Sequence, residues 1–229
     1  MSSVLHRLSA AALALILFCN SAAQAETVLL RSGNGSVGGN DTLISMLTGP
    51  ADTNFSTAFT AADFSAADTG PAAFIIANNP AWIATLPSDP LARWISTSAN
   101  GAVEGGTALY AIDFTLASAA SSATLDLRLA VDNALGGGPN QGVFINGTAI
   151  SGNSTPAGFS AVSTLQRNDI APLLVAGTNT LYINSTDQGG PGGLIFSATI
   201  ETVPIPEPGA LIALGIGLAA TLACARKRK

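Results

Sequence analysis

Cysteine occurs twice in 229 residues, at Cys19 and Cys224, and histidine once, at His6. Between residues 26 and 205 there is no cysteine, histidine or lysine. That stretch cannot hold a Ser-His-Asp or Cys-His site, a His/Cys zinc centre, a Schiff-base lysine or a P-loop. Disulfides are excluded as well, so a domain there is held together by core burial alone. Charge is also scarce, at 10% of residues, against roughly one-quarter in a typical soluble domain. Four arginines (Arg31, Arg93, Arg128, Arg167) face thirteen acidic residues over 26–205. Phosphate neutralisation needs the reverse balance, which argues against a nucleic-acid partner.

What is abundant is apolar sequence: 48% of residues are hydrophobic and the mean hydropathy is +0.42. Much of it lies at the two ends. Residues 1–25 combine Arg7, an apolar run from Leu8 to Cys19, and the small-x-small sequence Ala23-Gln24-Ala25. This is the pattern of a secretory signal peptide, with Glu26 as the new N-terminus and Sec-type export machinery as its partner. Phe18 is too bulky for the position before a lipoprotein cysteine, so Cys19 is not read as a lipid anchor.

At the other end, Val203-Pro204-Ile205-Pro206-Glu207-Pro208 is rich in proline and reads as a stiff linker rather than a strand. Residues 209–225 carry no charge. As a helix they span roughly 25 Å, the short end of what crosses a bilayer. Arg226, Lys227, Arg228 and Lys229 follow and would stay cytoplasmic, leaving the body on the far side. Signal peptide and tail thus give the same orientation independently.

The tripartite tail resembles the PEP-CTERM sorting signal of Gram-negative bacteria, with Pro206, Glu207 and Pro208 as its motif. The resemblance covers residues 203–229. It implies processing by an exosortase, a membrane-embedded cysteine protease or transpeptidase found with exopolysaccharide biosynthesis. The protein would be held in the inner membrane before processing and reach the cell surface or the extracellular, biofilm-forming matrix afterwards.

Residues 26–202 make one domain's worth of chain. Leu125, Leu127, Leu129 and Val131 alternate with Asp126, Arg128 and Ala130, and Tyr110, Ile112, Phe114 and Leu116 do the same one strand earlier. Further strands are expected over Val143–Ile145, Phe159–Leu165, Thr180–Asn184 and Leu194–Ile200. Gly136-Gly137-Gly138-Pro139, Asn146-Gly147, Gly177-Thr178-Asn179 and Gly189-Gly190-Pro191 supply the turns. The expected fold is all-β, an antiparallel sandwich or jelly roll. The alanine-rich stretches Thr60–Ala67 and Ala117–Ala123 are read as loops or short helices, because Ser and Thr interrupt them.

From Ala81-Trp82-Ile83 through Arg93-Trp94-Ile95-Ser96, Tyr110–Phe114, Asp132-Asn133, Val143–Thr148 and Asp169–Leu174 to Gly177–Leu181, the succession of motifs resembles the galactose-binding-like jelly roll. That fold occurs in accessory sugar-binding domains of glycoside hydrolases, so the resemblance implies a carbohydrate-binding-like module and no catalytic residues. Trp82 and Trp94 are either stacking platforms for a sugar ring or core residues, and the scarcity of aromatics (6% of the chain) favours the core. Asp132 and Asn133 either present oxygens to sugar hydroxyls or a structural Ca²⁺, or form an Asx turn. No other cofactor is expected. Asp126 and Arg128, on one strand face, read as a solvated ion pair. No spacing singles out a carboxylate pair for glycoside hydrolysis, and the protein is read as non-enzymatic. Two roles remain for the body: association with exopolysaccharide, or a structural and adhesive matrix role without a small ligand.

Overall fold

The computed structural model describes residues 24–151 and 157–205. The signal-peptide core, Ala23, the Pro206-Glu207-Pro208 motif, the expected membrane helix and the basic tail lie outside the described residues. Ala25 precedes the first strand, and Glu26 begins it.

Twelve strands follow in chain order: β1 Glu26–Arg31, β2 Asn40–Thr48, β3 Ala72–Ile75, β4 Ile95–Ser96, β5 Ala108–Leu116, β6 Ala120–Asp132, β7 Ala134–Leu135, β8 Val143–Ile145, β9 Thr148–Ala149, β10 Ser163–Arg167, β11 Gly177–Thr186 and β12 Gly193–Pro204. One helix, α1 (Ala61–Asp68), lies between β2 and β3. A 3₁₀ turn covers Ala171–Leu173. The strands form one continuous hydrogen-bonded path, β10-β6-β12-β4-β3-β2-β5-β11-β8-β9, with β1 paired to β12 and β7 to β11. The ladders β1·β12, β6·β10, β5·β11 and β2·β5 are antiparallel.

The path folds over on itself, because β1 packs against β5 and β6 against β11 although neither pair is hydrogen-bonded. Alternation explains why. Ala123, Leu125, Leu127, Leu129 and Val131 of β6 meet Tyr110, Ile112, Phe114 and Leu116 of β5 in one core. Ile44 and Met46 of β2, Leu181 and Ile183 of β11, and Phe196 and Ile200 of β12 join them. The result is the expected antiparallel jelly-roll sandwich, and Glu26–Thr202 closes as one compact unit.

The outer faces are covered as well. On β6 and β12 the opposite parity presents Ala130 and Ile195, and the segment 76–94 lays Ile76, Trp82, Leu86, Ala92 and Trp94 over them. On β5, β8 and β11 it presents Leu109, Ala111, Phe144 and Tyr182, which α1 covers with Ala67 and the partly buried Phe64. Thr60 starts α1 instead of interrupting it. Its hydroxyl accepts from the Asp63 backbone N–H, while the Asp63 carboxylate accepts from the Thr60 N–H at 2.8 Å, a reciprocal capping box.

Three expectations are corrected. The strand expected at Phe159–Leu165 sits at Ser163–Arg167, since Phe159 packs against the tryptophan cluster instead. Of Ala117–Ala123, the first residues make a turn and the rest open β6. The proline-rich stretch does not leave the sheet at Val203. Strand β12 runs to Pro204, two residues beyond its last pair with β1, Glu26–Thr202.

Candidate functional site

Register places the strand ends in two groups. The ends of β6 and β11 and the start of β12 share one end of the sandwich with the loops 49–59, 97–107, 133–142 and 187–192. Asp132 and Asn133 lie there, and the structure brings both tryptophans close to them.

The indoles of Trp82 and Trp94 pack on each other, with ring centroids 4.2 Å apart at 34°. They are 5% and 2% exposed, so neither offers a face to a sugar ring. The stacking-platform reading fails for both, because the outer face of β6 and β12 requires an apolar cover and these rings supply it. Gly193 makes this possible: a Cβ there would lie 3.0 Å from the Trp82 ring. Each indole N–H is used internally, Trp94 donating to the Ile83 carbonyl at 2.9 Å and Trp82 to Asp132 Oδ2 at 2.8 Å.

Asp132 is buried, and its Oδ1 has no partner. Burial pushes its carboxyl above the usual carboxylate range, the Trp82 bond pulls it down, and nearby Asp187 raises it again. Asn133 is committed to the fold. Its Oδ1 accepts from the Gln188 N–H at 2.7 Å, and its own N–H donates to the Thr186 carbonyl at 3.1 Å. Asp187 accepts from Gly189 and Asp52 backbone N–H groups, and Asn140 staples Thr57 and Phe59. Two further buried oxygens, Asn184 Oδ1 and Thr186 Oγ1, lack partners. Among the described residues no group of three or more His, Cys, Asp or Glu side chains is arranged to hold a metal ion.

The open site lies on the outer face of the β10-β6-β12-β1 layer, as a groove of about 760 Å³. Thr124, Asp126 and Arg128 project into it from β6, Gln166 from β10, and Ser197, Thr199 and Glu201 from β12. Leu29 of β1, 53% exposed, adds an apolar patch. Arg128 grips Asp126 through two bonds of 2.6 and 3.0 Å. Gln166, directly opposite Asp126 in the ladder, donates to its Oδ2 at 3.0 Å. This array holds the Asp126 carboxyl below its ordinary value, chiefly through the Arg128 hydrogen bonds. Ser197, which lines the groove, donates to the buried Asp89 carboxylate at 3.0 Å, and Arg31 pairs with the same carboxylate at 3.1 Å. The groove offers planar donors, acceptors and hydroxyls along an extended path, and among the described residues no aromatic ring lines it.

Sequence reasoning found Asp126 and Arg128 as a pair on one strand face but not the groove they line. The signal for the rest was period-two polarity on β10 and β12, whose adjacency to β6 comes from pairing across tens of residues.

A smaller pocket of about 230 Å³ on the opposite layer is lined by Asp41, Asp68 and Asp113. Asp41 is saturated by the Gly33, Asn34 and Leu43 N–H groups. Asp113 accepts from Thr180 Oγ1 at 2.6 Å. Partial burial and the neighbouring Asp113 push the Asp68 carboxyl up.

The model of the PEP-CTERM protein-sorting motif matches residues 204–229. The chain carries a PEP-CTERM sorting motif. The motif implies an exported protein processed by an exosortase. No curated protein matches the chain. Solved structures with which it shares similarity include the Podospora anserina GH26-CBM35 beta-(1,4)-mannanase, at 19% identity and a TM-score of 0.34, covering 72% of this chain and 29% of that one. The CBM35 from Cellvibrio japonicus Abf62 aligns at 17% identity and a TM-score of 0.32, covering 72% and 99%. Arthrobacter globiformis T6 isomalto-dextranase complexed with panose aligns at 10% and 0.31, covering 78% and 32%. The chain therefore spans about a third or less of two of these three.

Two outcomes test the local chemistry. Trp82→Phe leaves both Asp132 oxygens buried and unpaired, and thermal or urea denaturation is expected to show a loss of about 1–3 kcal/mol. Adding Asp132→Asn should recover part of it. Asp68 binds its proton more tightly folded than unfolded, so its contribution is full at low pH and is lost as pH rises through the raised value. Asp68→Asn is expected to flatten the melting temperature over that acidic range and raise it at neutral pH. An unchanged profile contradicts the Asp68–Asp113 assignment.

Proposed function

We propose that this is a non-enzymatic surface or matrix protein whose body associates with extracellular polysaccharide through the polar groove. The signal peptide starts export, the C-terminal segment holds the precursor in the inner membrane, and an exosortase acts at or near Pro206-Glu207-Pro208. The groove carries the reading. A hydrated polysaccharide offers hydroxyls along an extended chain, and the Asp126–Arg128–Gln166 array with Ser197, Thr124 and Thr199 offers matching donors and acceptors. Without an aromatic platform, contact would rest on hydrogen bonds exchanged with water, each of modest net value. Weak binding repeated along a polymer suits a matrix component. Burial of both indoles favours a second reading, a structural or adhesive matrix protein with no defined ligand.

Affinity electrophoresis of residues 26–205 in gels containing the host's polysaccharide separates the two. The proposal expects retardation that Arg128→Ala combined with Gln166→Ala abolishes while the melting curve stays two-state. No retardation, with or without Ca²⁺, leaves the structural role. For sorting, replacing Pro206-Glu207-Pro208 by three alanines is expected to block processing and release in an exosortase-bearing host. Unaltered size and location would overturn that step.

A further inference from the structure

The charges of the groove are not equivalent. Among the described residues three ion pairs form, and they use Arg31, Arg128 and Arg167. Arg128 and Arg167 line the groove, and each is already closed on an acid: Arg128 on Asp126, and Arg167 on Asp169 through bonds of 2.9 and 2.6 Å. Glu201 is different. It is exposed on β12, lines the same groove, and belongs to none of these pairs. The lining therefore keeps one uncompensated carboxylate and no uncommitted cation. The body around it carries thirteen acidic residues against four arginines.

Register sets an apolar group beside that carboxylate. Leu29 of β1 faces Thr199 of β12, and Thr27 faces Glu201. Residues two apart share a strand face, so Leu29 and Glu201 are diagonal neighbours on the outer face, roughly 7–8 Å apart. Leu29 stays exposed because its neighbours Val28 and Leu30 are the ones that turn into the core.

This pairing of groups separates the classes of polysaccharide. A uronic or sulfated chain would bring anions against Glu201 and find both groove arginines already paired, a like-charge contact that disfavours it. A plain neutral glucan offers Leu29 and Glu201 nothing but hydroxyls. An amino-sugar chain matches both: an ammonium group suits the free carboxylate, and the methyl of an acetamido group suits the exposed leucine. The acetamido N–H and C=O also fit the planar donors and acceptors of Asp126, Arg128 and Gln166. We infer that the groove takes a partly N-acetylated amino-sugar polysaccharide, with ammonium groups of the chain at Glu201 and acetamido methyls at Leu29. The inference rests on the proposed polysaccharide-binding groove and names its ligand class. Each contact is exposed and individually weak, and repetition along the polymer supplies the avidity.

The test passes residues 26–205 over immobilised partly N-acetylated chitosan, dextran, alginate and the host's polysaccharide, and reads the apparent Kd by surface plasmon resonance. Binding to chitosan several-fold tighter than to dextran or alginate is expected. Glu201→Gln should weaken it several-fold, and Leu29→Ser should do the same with an unchanged melting curve. Glu104→Gln removes the same charge outside the groove and should leave the Kd as it was. Full N-acetylation of the polymer should abolish the effect of Glu201→Gln. Equal weakening by Glu104→Gln and Glu201→Gln marks bulk attraction of an acidic body to a polycation and overturns the inference. Binding to dextran or alginate as tight as to chitosan, or to the host's polysaccharide alone, overturns the amino-sugar class and leaves the groove as a polysaccharide site. No binding to any of the four overturns the groove reading and the ligand class together.

Discussion

The pairing of β1 with β12 is the constraint on which the body depends. It joins residues 166 to 176 positions apart, from Glu26–Thr202 to Arg31–Ser197, in a body that contains no cysteine. Its closure entropy is therefore met only when the whole core forms, through the facing stripes of β5, β6, β11 and β12. Truncation within either strand would open the core along Leu30, Phe196 and Ile200 rather than trim an edge.

The same alternation decides what the outer faces can be used for. Where the outward residues of β6 and β12 are Ala130 and Ile195, a loop must cover them, and both tryptophans are spent there. A few residues away the outward positions are Thr124, Asp126 and Arg128, no cover is required, and a groove remains. One strand thus supplies a closed patch and an open one. The closed patch is fixed by a bond of unusual consequence for so poorly charged a body: an indole N–H on a buried carboxylate whose second oxygen is left unpaired.

Where strict alternation ran over seven or more residues, as in β5 and β6, the sequence was legible strand by strand. β2 and β3 were not, because Asn40–Thr48 mixes exposed and buried residues without a clean period and its ladder with β3 is irregular. Over Thr60–Ala67 the sequence left open a loop or a short helix, because Ser and Thr look like interruptions unless Thr60 is read as a cap. Of the candidate site, the closeness of Trp82, Trp94 and Asp132 could not be read, since it arises from cover over a sheet rather than from spacing. The groove was half legible: Asp126 and Arg128 declare their shared face, while Gln166, Ser197 and Glu201 join them only through pairing.

Strand β12 continues to Pro204, the residue at which the sorting motif begins. A pull on the C-terminus therefore enters the fold along the axis of a strand bonded to β6 on one side and to β1 and β4 on the other. Ladder bonds loaded along the strand share the force and must break together, whereas bonds peeled from an edge break one at a time. The groove lies on the same strands. A protein fastened at that terminus and gripped on that face would carry tension as shear, the direction in which an antiparallel sheet resists most.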